Sequence, residues 1–314
     1  MRSARVRPPL LAYGMLLLGV LAVSCAAILI KLTNAPPAIT AFYRMVMTSV
    51  LLLPFAGRGA LAAWRSLTGR ERLALIASGA FLALHFILWI GSLFYTSVGS
   101  STLLLSLEPI FVLLGARLFF TERVPARAWA FALVAVLGTA LISVHDLVAG
   151  GSAAFGDALS VGGTISVSGY LLIGQRLRRT VAALPYSLLV YMVAAVVLAL
   201  YAGVQRDSFV HYGWGDWRAF LLLTLIPTVL GHTLFNGLLK YLPASTVSMS
   251  IVGEPLGATA LAYILFGDRV PFIWFVGAAL AVTGIVVFMR TTHTAAGGGD
   301  IAAPDCAPES GQAP

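Results

Sequence analysis

The chain has 314 residues, of which 59% are hydrophobic and only 10% are charged. A soluble domain carries about 25% charged residues, so this composition excludes a water-soluble globule and favours a chain that lies in lipid. The formal net charge is +8, but the basic residues are spread between apolar segments, as membrane topology requires, and nucleic acid is not an expected partner.

Ten apolar segments are long enough, at about 20 residues each, to cross a bilayer as helices. They lie at approximately 10–31, 37–56, 73–94, 99–120, 127–145, 155–175, 184–204, 219–239, 243–266 and 271–289. The first continues past Cys25 to Ile30, so we interpret it as an uncleaved helix rather than a signal peptide. Cys25 lies in this segment and Cys306 in a polar tail, so no disulfide is expected.

The basic residues predict the orientation of these segments. If the N-terminus is cytoplasmic, most of the 20 lysines and arginines fall on the cytoplasmic side, and the opposite side receives Lys31, Arg206, Arg218 and Arg269. Arg44 falls within a helix. Because cytoplasmic segments carry an excess of basic residues, both termini are predicted to be cytoplasmic.

An internal repeat is the strongest feature of the sequence. Segment 95–142 aligns without gaps to 241–288, at an offset of 146 residues. The matched positions are Tyr95 with Tyr241, Glu108-Pro109 with Glu254-Pro255, Phe120 with Phe266, Glu122-Arg123-Val124-Pro125 with Asp268-Arg269-Val270-Pro271, and Gly138 with Gly284. Each repeat would contain five helices, an odd number, so the second copy is predicted to be inverted in the membrane. Inverted repeats are typical of secondary transporters.

The predicted fold is therefore an all-α integral membrane protein of ten transmembrane helices, built as two inverted five-helix repeats. The predicted parts are a cytoplasmic N-terminus at 1–9, the first repeat at 10–145, the second repeat at 155–289 and a disordered cytoplasmic tail at 290–314.

The doubled motif resembles the drug/metabolite transporter superfamily, and in particular its ten-helix EamA-type members. In each copy a Glu-Pro pair is followed fourteen positions later by an acidic residue and sixteen beyond that by a glycine. These residues are Glu108-Pro109, Glu122 and Gly138, and then Glu254-Pro255, Asp268 and Gly284. Further points of resemblance are Lys31, Pro36-Pro37, Ala41-Phe42-Tyr43-Arg44 and Gly156-Asp157.

The resemblance implies export of amino acids or related metabolites through a central cavity lined by the first four helices of each repeat. One departure is that the second repeat has no clear equivalent of Arg44, with Tyr191 near that place. A substrate contact made by Arg44 would therefore not be duplicated.

Ionisable residues at mid-membrane depth are candidates for function, because each costs at least about 2.5 kcal/mol there. Glu108 and Glu254 lie near the middle of their helices, and Pro109 and Pro255 break the backbone hydrogen bonding beside them. Desolvation would favour the protonated carboxyl, which could load and release protons. The alternative is that each neutral glutamate only ties down the broken turn, and this structural role is preferred.

Two histidine stripes could line the cavity. Spacing of four places His85 with Trp89 on one helix face, and His232 with Asn236 on another. Such stripes are also common in ordinary helix packing, and the two interpretations are weighted equally.

Ser168 and Ser248 are candidates for the substrate site, but helix–helix packing is the preferred role of Ser168, and the same two roles are open for Ser248. Arg44 could bind a substrate carboxylate or pair with a glutamate of the chain, and pairing within the protein is preferred.

The sequence predicts a secondary transporter of the inner membrane that exports small metabolites, with neutral or aromatic amino acids favoured, by one half rocking against the other. Alternatives of the same fold are exporters of drugs or organic cations, nucleosides or sugars. A second class, an intramembrane enzyme or receptor, is disfavoured because no protease or phosphate-binding motif occurs. No cofactor or metal is expected. The expected partners are the substrate and the lipid bilayer, with proton coupling and a homodimer both left open.

Overall fold

The computed structural model describes residues 10–96, 98–120, 125–143, 153–266 and 272–297. No β-strand occurs in these ranges. The helices are α1 Leu10–Ser24, α2 Ala26–Lys31, α3 Pro37–Ser66, α4 Gly69–Ser92, α5 Val98–Leu105, α6 Glu108–Phe120, α7 Ala126–Ser143, α8 Ala153–Leu177, α9 Ala183–Gln205, α10 Trp214–Leu223, a π-helical segment Thr224–Thr233, α11 Leu234–Leu238, α12 Ala244–Ile251, α13 Glu254–Phe266 and α14 Phe272–Gly297.

Seven helices of the described residues are long and apolar enough to cross a membrane. They are Leu11–Lys31, Pro37–Ser66, Gly69–Ser92, Ser100–Phe119, Ala183–Gln205, Trp214–Leu238 and Phe272–Thr291. The all-helical membrane class is thus confirmed, whereas the count of ten spans and the inversion of the repeats stay predictions.

Local chemistry explains where several helices begin. Pro37 occupies the first position of α3, where its missing N–H costs nothing. At α4, the Glu71 N–H donates to Thr68 Oγ1 at 3.3 Å and the Thr68 N–H donates to Glu71 Oε2 at 2.9 Å. This reciprocal pair satisfies two amides that the helix itself cannot bond.

Two helices extend beyond the predicted apolar segments. Helix α3 continues through the predicted connection at 57–72 as far as Ser66, and α14 continues to Gly297, beyond the predicted start of the tail at 290. Within this last part of α14, Thr291 Oγ1 donates to the Val287 carbonyl at 2.8 Å. The segment 1–9, Glu122, Asp268 and the chain after 297 lie outside the described residues.

Eleven of the helical segments form two bundles that exchange their first helices, while α3 packs with α9 and α7 packs with α14. Bundle A contains α4, α5, α6 and α8, and bundle B contains α1, α2, α10, the π-helical segment, α11, α12 and α13. Helix α8 begins the second predicted repeat but packs with helices of the first, and α1 does the reverse. The two sequence halves are therefore interlocked through the exchange of these two helices.

Helices α7 and α14 pack against each other in antiparallel directions. A methyl group added at Gly138 would collide with the backbone of Gly277 and Ala281, and one added at Gly284 would lie 2.6 Å from the Ala135 nitrogen. Positions later in α7 thus meet positions earlier in α14. The matched glycines make matched contacts, as expected for two helices related by a local two-fold axis.

Replacing Gly138 or Gly284 with alanine should destabilise the protein by about 1–3 kcal/mol, because the added methyl group overpacks a backbone contact. Thermal unfolding in detergent measures the effect. The matched control is Gly203→Ala in α9, where an added methyl group meets no atom within 4 Å. Equal midpoints of thermal unfolding for all three variants would contradict the close packing of α7 against α14.

Candidate functional site

Both Glu-Pro pairs lie directly after a break in a helix. Helix α5 ends at Leu105 and α6 begins at Glu108, while α12 ends at Ile251 and α13 begins at Glu254. Proline suits the first turn of a helix because its nitrogen needs no acceptor there. Each break leaves a buried glutamate at the start of a new helix, near the middle of the molecule.

A serine of the opposite repeat binds the backbone at each break. Ser168 Oγ of α8 lies 3.4 Å from the Glu108 carbonyl, and Ser24 Oγ of α1 lies 3.1 Å from the Glu254 carbonyl. Each hydroxyl also bonds a carbonyl of its own helix, so its proton is shared between two acceptors. Helices α1 and α8 therefore contact the two breaks through equivalent serine hydrogen bonds.

A central cavity of about 40 Å³ lies between the two bundles. It is lined by Val23, Ala26, Arg44, His85, Trp89, Leu105, Glu108, Val167, Tyr170, Leu171, His232, Phe235, Ile251 and Glu254. Its volume has room for a few water molecules, whereas sites for organic ligands span roughly 300–1,000 Å³. The cavity must widen to take a metabolite.

Arg44 is the buried cation of the cavity. Its side chain is 1% exposed, its Nε donates to Thr228 Oγ1, and its guanidinium carbon lies 4.6 Å from the centre of the Phe86 ring. Its two terminal nitrogens, Nη1 and Nη2, are buried without a hydrogen-bond partner. A hydrogen-bonded pair between Arg44 and a glutamate, the preferred sequence interpretation, is therefore absent from the described structure.

Two further polar atoms of the cavity walls lack partners. Glu108 Oε1 and Trp89 Nε1 are both buried without a hydrogen bond. Buried polar groups in folded proteins are nearly always bonded, so each exception needs an explanation. Together with Arg44 they give the cavity donors and an acceptor that have no hydrogen-bond partner in the part of the chain that the structure describes.

Aromatic rings hold the histidines in place. The His85 and Trp89 rings stack with 5.7 Å between centroids and 5° between planes, and His85 Nδ1 lies 3.0 Å from the Gly163 carbonyl. His232 meets the Phe86 ring edge-on at 5.8 Å. His85 and Trp89 of α4 thus meet His232 of the π-helical segment at one cavity, whereas Asn236, predicted on the same face as His232, does not line it.

Three predicted substrate residues are buried but do not line the cavity. Ser168 bonds the α6 break, Ser248 Oγ donates to the Ser245 carbonyl at 3.2 Å, and Asn236 bonds Tyr170 and Ser187. Pro109 and Pro255 lie in the first turns of α6 and α13 and are likewise buried. That Ser168, Ser248 and Asn236 contact the substrate stays a prediction.

Sequence reasoning missed Tyr170, which lines the cavity from α8. It stands two positions after the predicted Ser168, and an isolated tyrosine in an apolar helix resembles a packing residue. Thr228 lies four positions before His232, and this spacing gives no sign that its hydroxyl accepts from Arg44. Their meeting depends on the packing of α3 against the π-helical segment, which no sequence spacing encodes.

Apolar helices long enough to span a bilayer, arranged around a buried polar cavity, define a polytopic membrane protein. A family model, the EamA-like transporter family, matches residues 10–144 and again 154–290. The chain therefore belongs to the EamA-like transporter family, and the resemblance predicted from its sequence is confirmed. The family is one of transporters and not of enzymes.

Relatives of similar length carry transporter names. An uncharacterized transporter of Archaeoglobus fulgidus is 22% identical over 250 residues, covering 79% of this chain and 85% of the relative. The uncharacterized transporter YdfC of Bacillus subtilis is 22% identical over 277 residues, covering 86% and 87%. A solved crystal structure matches with a TM-score of 0.75 at 16% identity, covering 90% of this chain and 98% of that chain, which shows the fold alone.

Replacing Thr228 with valine should leave Arg44 Nε without its acceptor inside the protein. We expect a loss of stability of about 1–3 kcal/mol, the cost of a buried unsatisfied group. Thermal unfolding in detergent measures it. Thr228→Ser keeps the hydroxyl and is the matched control, and valine and serine variants of equal stability would contradict the assigned bond.

Proposed function

We propose that this protein is a secondary transporter that exports small zwitterionic metabolites, most directly neutral or aromatic amino acids. The proposal rests on one observation. The two terminal nitrogens of Arg44, Nη1 and Nη2, are buried without a hydrogen-bond partner in the same cavity as Glu108 and Glu254. A fixed cation and two carboxyl groups match a ligand that carries both a carboxylate and an ammonium group.

Arg44 supports recognition of the carboxylate. Guanidinium binds a carboxylate through two parallel N–H bonds, and in a water-poor site such bonds are strong. Nε is already held by Thr228, which leaves Nη1 and Nη2 to face the ligand. The guanidinium group is thus held in position through Nε, and Nη1 and Nη2 are available to donate to a ligand.

Glu108 supports recognition of the ammonium group. Its Oε1 is buried and unbonded, and an ammonium group offers three donors. The stacked rings of His85 and Trp89 present an aromatic wall beside these polar groups. Such a wall favours an aromatic or other apolar side chain on the amino acid.

The exchanged bundles support alternating access. Bundle A carries the Glu108 break and bundle B carries the Glu254 break, and the cavity lies between them. Movement of one bundle against the other would open the cavity to one side of the membrane at a time, the usual mechanism of repeat-built transporters. The antiparallel contact of α7 with α14 supports the inverted ten-helix arrangement.

The remaining parts of the proposal follow from the sequence. We place the protein in the inner membrane with both termini in the cytoplasm, and we assign transport outward, with protons as the coupling ion through Glu254. Pairing of two copies is a further proposal. The bilayer and the substrate are the partners that the site requires.

Purified protein in proteoliposomes should transport phenylalanine at least about tenfold faster than phenethylamine, the same molecule without a carboxylate. Arg44→Gln should lower phenylalanine flux by tenfold or more, because a bond to a charged group contributes about 1.5–3 kcal/mol. Arg44→Lys should recover part of the flux, since it keeps the charge but loses the fork.

The matched control for these variants is Arg65→Gln, at an exposed position of α3. Equal phenylalanine flux in the Arg44→Gln and Arg65→Gln proteins would contradict the assigned role. Transport of phenethylamine at the rate of phenylalanine would favour the organic-cation alternative.

Glu254→Gln should leave the protein folded but abolish the response of transport to an imposed proton gradient. Glutamine keeps the shape of the protonated acid and cannot release a proton. Counterflow of substrate without a gradient checks that the site still binds, and Glu254→Asp is the control that retains a carboxyl group. A gradient response that persists in the glutamine variant would exclude Glu254 as the coupling residue.

A further inference from the structure

Hydrogen bonds join the two bundles on the side of the cavity where α1 begins. We define the α8 lock as the side chains Tyr170, Gln175 and Arg178 together with the groups of bundle B that they bond, which belong to Asn236, Gly237 and Ala244. Arg178 lies in the turn directly after α8.

The first contact of the α8 lock starts at the cavity wall. Tyr170, which lines the cavity, donates from Oη to Asn236 Oδ1 at 2.6 Å. Asn236 in turn donates from Nδ2 to Ser187 Oγ of α9 at 3.1 Å. The three side chains are buried, so these bonds form where lipid and water cannot replace them.

Arg178 supplies the charged contact. Its Nε donates to the Asn236 carbonyl at 2.7 Å and its Nη2 to the Gly237 carbonyl at 3.4 Å, while Nη1 bonds the Val181 carbonyl. These carbonyls lie at the end of α11, where the helix dipole attracts a cation. Although arginine is usually exposed, this side chain is 3% exposed.

Gln175 completes the α8 lock one turn before Arg178. Its Oε1 accepts from the Ala244 N–H at 2.6 Å. Ala244 is the first residue of α12, and the first amides of a helix have no partner within it. The bond therefore joins bundle A to the beginning of the helix that leads to the Glu254 break.

The α8 lock lies between the central cavity and a second cavity of about 570 Å³. Arg178 lines this second cavity with Leu11, Met15 and Lys240. Leu11 begins one apolar span, and another ends at Leu238 beside it, so the second cavity lies at the boundary of the membrane. Following α8 from Tyr170 to Arg178 leads from one cavity to the other.

Polar contacts at the opposite end of the molecule join elements of the same bundle. Asp157 Oδ1 accepts from Thr96 at 2.8 Å and from Ser100 at 2.7 Å, all within or beside bundle A. Asp216 Oδ1 accepts from the Asn34 N–H at 2.8 Å and from Thr33 at 3.1 Å, between the α10 start and the turn after α2. These bonds would survive a separation of the bundles, whereas those of the α8 lock would not.

A hinge adjoins the α8 lock. The π-helical segment Thr224–Thr233 contains Pro227 and ends three residues before Asn236. Mid-helix departures from α geometry at proline are common points of bending and often mark functional positions. Bending here would carry Asn236 and Gly237 away from α8 while Thr228 stays bonded to Arg44.

We infer that the α8 lock is the gate that closes the central cavity on the side of the α1 start, and that its bonds must break before the cavity opens to that side. This inference rests on the proposed transport by alternating access. It assigns Tyr170, Gln175, Arg178 and Asn236 to gating rather than to contact with substrate.

Sided labelling of a cysteine in the cavity tests the inference without any transport assay. The background carries Cys25→Ser and Cys306→Ser, which removes both native cysteines, and Leu105→Cys provides the reporter in the cavity wall. A membrane-impermeant thiol reagent is applied from the side of the N-terminus or from the opposite side.

Tyr170→Phe and Arg178→Gln should each raise the labelling rate from the N-terminal side by about tenfold and should not raise it from the opposite side. Arg179→Gln is the matched control, since it removes the same charge from the neighbouring, exposed residue. An unchanged labelling rate from the N-terminal side, or an equal increase in the rate from both sides, would contradict the assignment of the α8 lock as the gate.

A cross-link provides a second test that does not depend on weakened variants. Gln175→Cys with Ala244→Cys, joined by a short bifunctional methanethiosulfonate reagent, should hold the gate closed, abolish transport and recover it after reduction. Transport that continues in the cross-linked protein would overturn the gate alone. Absence of transport in the protein that lacks both native cysteines but keeps Gln175 and Ala244 would instead count against the proposed function, while the labelling result would still decide whether the α8 lock is the gate.

Discussion

Exchange of the first helices between the two repeats is the constraint on which the rest of the structure depends. The interior of a membrane offers no water to polar backbone groups, so a broken helix persists only where protein supplies the bonds. Ser24 and Ser168 each reach the carbonyl of a Glu-Pro break in the opposite repeat. Each break thus contacts a helix of the other half, and the cavity lies between the two mixed bundles.

The polar groups of that cavity are the basis of the proposed substrate class. Glu108, Arg44 and Trp89 have buried atoms without hydrogen-bond partners among the described residues, and leaving such atoms unbonded costs stability. A zwitterion that bonds these atoms would recover part of that cost and favour a closed cavity around itself. Binding and closure would then be two aspects of one equilibrium, since a ligand shifts a protein toward the state it binds best.

The sequence predicted the helical membrane fold, the family and six of the residues that line the cavity, because apolar length and ionisable residues in apolar helices are local properties. It did not predict the exchange of α1 and α8, since hydrophobicity within a helix does not specify its neighbour. For the same reason, the sequence did not predict the hydrogen bond from Arg44 to Thr228 or the one from Arg178 to the Asn236 carbonyl. Each of these two hydrogen bonds joins residues that are far apart in the chain. Arg178 also lies in a basic connection between helices, a pattern typical of an exposed cytoplasmic loop.

Topology labelling of the two matched repeats tests the central claim most directly. Single cysteines replace Ala126 and Phe272, the exposed matched residues at the starts of α7 and α14, in a background without Cys25 and Cys306. If the second repeat is inverted, an impermeant maleimide should label position 126 from the cytoplasmic side and position 272 from the opposite side. Labelling of both positions from the same side would contradict the inverted arrangement and the alternating access derived from it.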